Sequence, residues 1–427
     1  MKKIVLILLA LGSTIMASMI DKVEVNGVTV PVIFEQDRRL PIVTVQLIFK
    51  NSGSVADTTK AGLAKFSAKV MNEGSRELGS NAFAEALESR AIHISASTGV
   101  ETFVIELGCL KDELAEGIKY LDLLLRDPNL TQESITKVKT ITLGSLASKE
   151  SDFDYIASNE LKALLFDGSV LSNPSSGTLQ SVKAIDLEDV KSFIAQNLLT
   201  SKLILAVGGD IDPQEIKSVI TKVLGSMSVG KSSEVQNYEV TKEPKEKVVK
   251  KETQQAYIYF GSPYHVSVDS KDNYKARVAT FILGSGGFGS RLMEEIRVKR
   301  GLAYSAYAKV DITKSSSYMN GYLQTKLDSL EEAKKTIKEV VAAFVKKGVT
   351  KDELEQTKKF LLGSEPLRVE TMSQRLNRTF MEYYKNQELG YSIKELELIR
   401  ELKLEDLNKF IKEHKEILDM SFAIVTK

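Results

Sequence analysis

Few residues in this 427-residue chain are of the kinds that carry hydrolytic or metal chemistry. Its three histidines, His93, His265 and His414, lie far apart, so no two share a helical turn and none can grip a metal as a pair. The one cysteine, Cys109, rules out an intramolecular disulfide and any Cys-based metal cluster. No histidine motif accompanies Cys109 or any serine signature, so an activated Ser or Cys nucleophile lacks its base. His93, in the alternating run AIHISAS, reads as a strand histidine satisfied by hydrogen bonds, and His414, in a charged C-terminal helix, as a solvated one. Gly284, Gly286, Gly287 and Gly289 have the composition of a phosphate-cradling loop, but no strand-then-GxGxxG fingerprint with a downstream acidic residue accompanies them.

Two short constellations remain. In ILGSGGFGSRLMEEIRVKRGLAYSAYA (residues 282–308) the glycines make a turn that feeds a helix capped near Ser290. Glu294 and Glu295 come early and Arg297, Lys299 and Arg300 late, as the helix dipole favours. Gly301 is expected to end the helix, and Leu302 onward alternates as a strand. Arg297 precedes Tyr304 by seven residues. The dipole alone accounts for a late-helix arginine, and packing for a strand tyrosine. Brought together, a guanidinium and a phenol can instead hydrogen-bond a carbonyl and stabilise an oxyanion. The second constellation is Lys65-Phe66-Ser67-Ala68-Lys69. Two ammonium groups at i and i+4 offer no lone pairs while protonated and repel a divalent cation, and Ala68 cannot accept a proton from water. The simplest expectation is a solvated helix face with Lys69 on Glu73 at i+4, although such lysines could also hold a substrate carboxylate.

The elements that must position these residues fall into two halves. A chain of this length exceeds what one core of about 250–300 residues can organise. With 43% hydrophobic and 27% charged residues it has the composition of an ordinary globular protein, not a disordered one. A net charge of +1 gives no sign of nucleic-acid or anionic-membrane capture. Lys2 and Lys3 before the apolar run Ile4–Leu11, with Ala17 and Ser18 following, have the layout of a signal peptide over residues 1–18. That run is too short to span a bilayer. No cysteine follows it, so the mature chain is expected to be exported without an anchor, most simply into a bacterial periplasm. Residues 230–255, crowded with Lys and Glu around Pro244, read as a charged linker between domains at 19–229 and 256–427. Residues 112–146 lie without gaps on residues 331–365, pairing Thr131 with Thr350, Leu143 with Leu362, Gly144 with Gly363 and Ser145 with Ser364. A single long offset of this kind points to duplication of a domain. Alternating segments at Val43–Phe49 and Ala256–Phe260, and strands at Leu203–Val207 and Ser421–Val425, bracket the repeated helices. The fold class expected is α+β: two homologous domains, each a mainly antiparallel sheet covered by helices.

With these residues in place, the sequence resembles the pitrilysin/insulinase family of zinc peptidases, in particular the small two-domain type similar to mitochondrial processing peptidase. Gly53, Ser54, Gly62, Leu63, Ala64, Phe66, Gly74 and Ser75 occupy framework positions around the family's metal-binding helix, and Ser176–Thr178 and Gly208–Asp210 extend the likeness. Where the family has the inverted H-x-x-E-H motif, this chain has Lys65, Ala68 and Lys69. The family's third ligand, a glutamate on a later helix, falls near Gly144 or Ser145. The resemblance therefore implies no zinc and no intrinsic peptidase activity in this chain. It also implies that Arg297 and Tyr304, in a sequence similar to Ile-Arg-x-x-x-Gly-Leu-Ala-Tyr-Ser, match the family's Arg/Tyr pair.

Some bacterial members of the family divide the machinery between two chains, and this sequence looks like the zinc-free one. The function expected is that of a subunit of a heterodimeric metallopeptidase, with zinc in a homologous partner, peptides as substrates, no nucleic acid, and catalytic roles for Arg297 and Tyr304. The alternative is a catalytically inactive structural or binding protein of the same fold, in which the pair is a relic.

Overall fold

The structure, a computed structural model, describes residues 18–427, so the expected leader lies outside the described residues except for Ser18. Eleven strands form two sheets. In the first half they are β1 (Met19–Val25), β2 (Val28–Gln36), β3 (Ile42–Lys50), β4 (His93–Thr98), β5 (Thr102–Leu110) and β6 (Leu203–Gly209). The second half contributes β7 (Glu246–Lys250), β8 (Gln255–Pro263), β9 (Ala303–Ile312), β10 (Ser317–Lys326) and β11 (Ser421–Thr426). The sheet orders are β1-β2-β6-β3-β5-β4 and β7-β11-β8-β10-β9. Each sheet is antiparallel except for one parallel pair, β2 with β6 and β7 with β11, at matching places in the two halves. This is the α+β architecture expected of a duplicated domain. Within the stretch read as a linker, Glu246–Lys250 is an edge strand that stays largely exposed, so its polar sequence suits its place in the sheet.

The repeat extends beyond the segment that first suggested it. Helices Gln132–Ser148 and Lys351–Gly363 are both opened by threonine: Thr131 accepts from the Ser134 N–H, and Thr350 forms a capping box with Glu353. Helices Phe153–Leu165 and Met372–Tyr384 then match end for end at the same offset.

These last two helices do not pack at home. On its inner side each sheet packs on its own half's helices, through Val43, Val45, Leu47 and Phe49 of β3 in the first half and Ile258 and Phe260 of β8 in the second. The opposite face takes the helix of the other half. Met372, Leu376 and Tyr384 pack on Ile33, Ile48, Ile204 and Ala206, while Leu161, Leu165 and Phe166 pack with Val240 and Ala423. Burying one such leucine contributes about 1.5–3 kcal/mol. Glycine makes room in both places. A Cβ at Gly208 would lie 2.2 Å from Met372 Sδ, and one at Gly261 would lie 2.7 Å from Leu165 Cδ1. Polar clamps sit beside these seams. Asp154 accepts from the Tyr259 hydroxyl (3.0 Å) and Gln324 Nε2 (2.6 Å), and Arg375 donates to Glu35 and Asp37, each at 2.6 Å.

Candidate functional site

The position of the family's metal site is built but chemically altered. The helix Leu63–Met71 starts at Gly62, whose φ of +86° is left-handed, and is capped by the buried Asp57, which accepts from the N–H groups of Gly62 (2.9 Å) and Ala64 (2.7 Å). Burial pushes the Asp57 carboxyl up to about 7, against the pull of those two donors. Ala68 is buried and Lys65 exposed. Lys69 is half-buried and does not lean on Glu73. Its Nζ donates to Thr142 Oγ1 at 3.0 Å, reaching across to the helix that carries Gly144 and Ser145. Glu73 is taken instead by Lys137 (2.7 Å) and Ser80 (2.6 Å). Burial, with Lys65 and Lys149 nearby, lowers the Lys69 pKa. An alanine, two ammonium groups, a glycine and a serine do not fit a zinc ion. Among the described residues no group of three or more His, Cys, Asp or Glu side chains could hold a metal.

The remaining histidines and the cysteine add nothing catalytic. His93 opens β4 and is exposed. His414 is not solvated: its Nδ1 lies 2.9 Å from Glu416 Oε1 and its ring packs against Phe410 and Tyr264. Cys109 is buried, which together with Glu113 pushes its thiol up to about 11, so it is no thiolate nucleophile at neutral pH.

The second constellation is assembled. Ser290 caps the helix after the Gly-rich turn, accepting from the Met293 N–H. The helix then widens: over Glu294–Val298 the Lys299 N–H reaches back to the Glu294 carbonyl, five residues away, and Gly301, at φ +62°, ends it. Arg297 lies in this widened turn. Tyr304 follows on β9, where a bulge sets Tyr304 and Ser305 against Gln324, between the pairs Ala303–Thr325 and Ala306–Leu323. The Arg297 guanidinium carbon is 4.2 Å from the Tyr304 ring centroid and 4.6 Å from that of Phe288. Tyr304 is 81% and Phe288 67% exposed. Glu295, the nearby carboxylate, is engaged by Lys299 and Arg300. Neither the Arg297 guanidinium nor the Tyr304 hydroxyl makes a hydrogen bond or ion pair among the described residues. Phe288 went unnoticed in the sequence, where its only signal is an aromatic residue set among glycines. No hydrogen bond or ion pair joins this pair to Lys65 or Lys69.

Residues 31–179 match the family described as Insulinase (Peptidase family M16), and residues 184–361 match the Peptidase M16 inactive domain. The chain belongs to peptidase family M16. A Helicobacter pylori relative named Non-peptidase homolog YmxG is 42% identical over 427 residues, covering 100% of this chain and 99% of its own length. Among solved structures, a peptidase M16 inactive domain from Pseudomonas fluorescens superposes with a TM-score of 0.87 at 22% identity, covering 95% of this chain and 98% of that one. A protease from Helicobacter pylori gives a TM-score of 0.81 at 16% identity over 96% and 100% of the two chains. Within the M16 family this is an inactive, peptidase-like member: its metal helix lacks both ligands and base, and the glutamate-bearing position is Gly144 or Ser145.

Proposed function

We propose that this chain is the zinc-free subunit of a heterodimeric peptidase, closing half of a peptide chamber around a zinc-bearing homologue. Arg297 and Tyr304 then act on the peptide: the guanidinium and phenol donate hydrogen bonds to the carbonyl oxygen at the cleavage point as it gains negative charge. The observation that carries this reading is the contrast between the two constellations. The metal position is dismantled residue by residue, while the half-buried Arg297 and the exposed Tyr304 stay side by side, with no hydrogen bond or ion pair to either side chain among the described residues. A relic under no functional demand has no need of an exposed aromatic pair around an unpaired arginine.

The leader-like sequence of residues 1–18 supports export to a periplasm, where the partner must also reside. Among the described residues no helix is long and apolar enough to cross a membrane. The test is reconstitution: this chain is mixed with a homologue carrying an intact H-x-x-E-H motif, and peptide turnover is compared with that of each chain alone. Activity that needs both chains supports the shared site. Activity of the homologue that ignores this chain leaves it a structural or binding protein.

A further inference from the structure

Apart from Arg297 and Tyr304, the second half holds a cavity of about 570 Å³ between helix Asn273–Thr280, strand β9, helix Met372–Tyr384 and the start of helix Tyr391–Glu401. Five cations line it: Arg277, Lys309, Arg368, Arg378 and Lys385. Three are already engaged, Arg277 by Glu395, Lys309 by Asp311 and Arg378 by Glu365. The Lys385 side chain is half-buried and lies near Glu395 and Glu101, but its ammonium makes no hydrogen bond or ion pair among the described residues, and the Arg368 guanidinium, exposed at the rim, makes none either. Glu382, also on the wall, cannot serve them, because its two oxygens accept from the N–H groups of Gly390 (2.8 Å) and Ser392 (2.9 Å).

Two further polar atoms in the same wall are buried and unpaired: the Tyr391 hydroxyl and Asn273 Oδ1. Burial, with Glu395 nearby, pushes the Tyr391 phenol up to about 12, so it stays a donor in need of an acceptor. The Asn273 Nδ2 is used by the Val268 carbonyl (2.8 Å), which leaves its Oδ1 as an acceptor in need of a donor. A buried group without a partner costs about 1–3 kcal/mol, and more when charged, so the wall as it stands is incomplete.

We propose that this cavity is a second peptide-recognition site that binds one carboxylate, either a chain-terminal carboxylate or an acidic side chain, with the adjoining peptide N–H placed on Asn273. Lys385 and the Tyr391 hydroxyl donate to the carboxylate, and Arg368 guards the entrance. Only two of the five cations are without a carboxylate partner, and three glutamates share the wall, so the charge suits a monoanion better than a phosphate dianion. The assignment shares with the proposed subunit role only the premise that this chain handles peptides, and it needs neither the partner nor the Arg297–Tyr304 pair.

The experiment is calorimetric titration of the purified chain with trialanine, trialanine C-terminal amide, Ala-Ala-Glu C-terminal amide and inorganic phosphate. Saturable binding of trialanine but not its amide assigns a terminal carboxylate, and binding of the glutamyl amide assigns an acidic side chain. Lys385→Met and Tyr391→Phe each weaken binding by roughly tenfold, since each removes one hydrogen bond to a charged group. If one variant fails to fold, the other decides. The proposal is overturned if neither carboxylate peptide binds saturably, if phosphate binds as tightly, or if folded variants bind like the parent. Because no partner is present, failure here leaves the reconstitution test intact, and failure there leaves this one intact.

Discussion

The guanidinium of Arg297 lies over the ring of Tyr304, its central carbon 4.2 Å from that ring centroid and 4.6 Å from that of Phe288. An exposed cation–π contact contributes about 0.5–1 kcal/mol, too little to hold the fold but enough to favour one orientation of a long side chain. The contact favours one mutual orientation, and neither side chain spends a donor on a hydrogen bond or ion pair among the described residues; preorganised stabilisation of an oxyanion requires both.

The clamp between the halves supports a first prediction. Glu35 is 3% exposed and receives Arg375 Nε at 2.6 Å, so Arg375→Met leaves a buried carboxylate with the Ser18 hydroxyl as its remaining donor and no cation. Losing one partner of such a pair costs about 3–5 kcal/mol, and the partial exposure of Arg375 places the expected loss near the lower end. Urea unfolding of parent and variant measures it, and an unchanged midpoint contradicts the role of the clamp.

The same clamp sets a pH dependence. Hydrogen bonding from Arg39, joined by Arg375, holds the Asp37 carboxyl well below the usual carboxylate range. A depressed folded-state pKa contributes stability above the unfolded value of about 3.9, and that contribution is lost as pH falls further. The stability gap between the parent and Arg39→Met, which removes the stronger of the two donors, should therefore narrow as pH is lowered from about 4 to about 2. A gap that is constant over that interval removes Asp37 from the account.

The duplicated halves, their threonine caps and the turn-helix-strand run around Arg297 could all be read from the sequence, because each is a local pattern. What the sequence hid is non-local. Helix Phe153–Leu165 is amphipathic whichever sheet receives it, and nothing in its own residues says that Leu161 and Leu165 pack beside Ala423 of the other half. Lys69 and Glu73 have the spacing of an ion pair, yet Lys137 and Ser80 compete for Glu73 and Thr142 for Lys69, all from elsewhere in the chain. His414 looked solvated because its neighbours in sequence are charged, while Tyr264, which packs on it, is far away in the chain. The edge strand Glu246–Lys250 is polar enough to pass for a connector.

For the metal, the purified chain is expected to hold no stoichiometric zinc and to cleave no peptide alone, since Lys65, Ala68, Lys69, Gly144 and Ser145 supply neither ligands nor base. Elemental analysis is the check, and about one tightly held zinc per chain would sink the assignment.

For export, N-terminal sequencing of the protein from its native cell should begin close to residue 18 or 19. A chain retained with Met1 in the cytoplasm contradicts the proposed location.

The most direct test of the central claim is peptide turnover by the reconstituted complex carrying Tyr304→Phe, with association checked separately by sedimentation. The phenylalanine keeps a ring beside Arg297 but has no hydroxyl to donate. Removing one preorganised donor of this kind commonly costs about 10²–10³ in rate, and Arg297→Lys, which keeps charge but loses the planar fork, should fall in the same direction. The account predicts a complex that forms normally and turns over peptide at least a hundredfold more slowly, roughly the low end of that range. Full turnover in both variants, with assembly intact, would contradict it and leave this chain a scaffold.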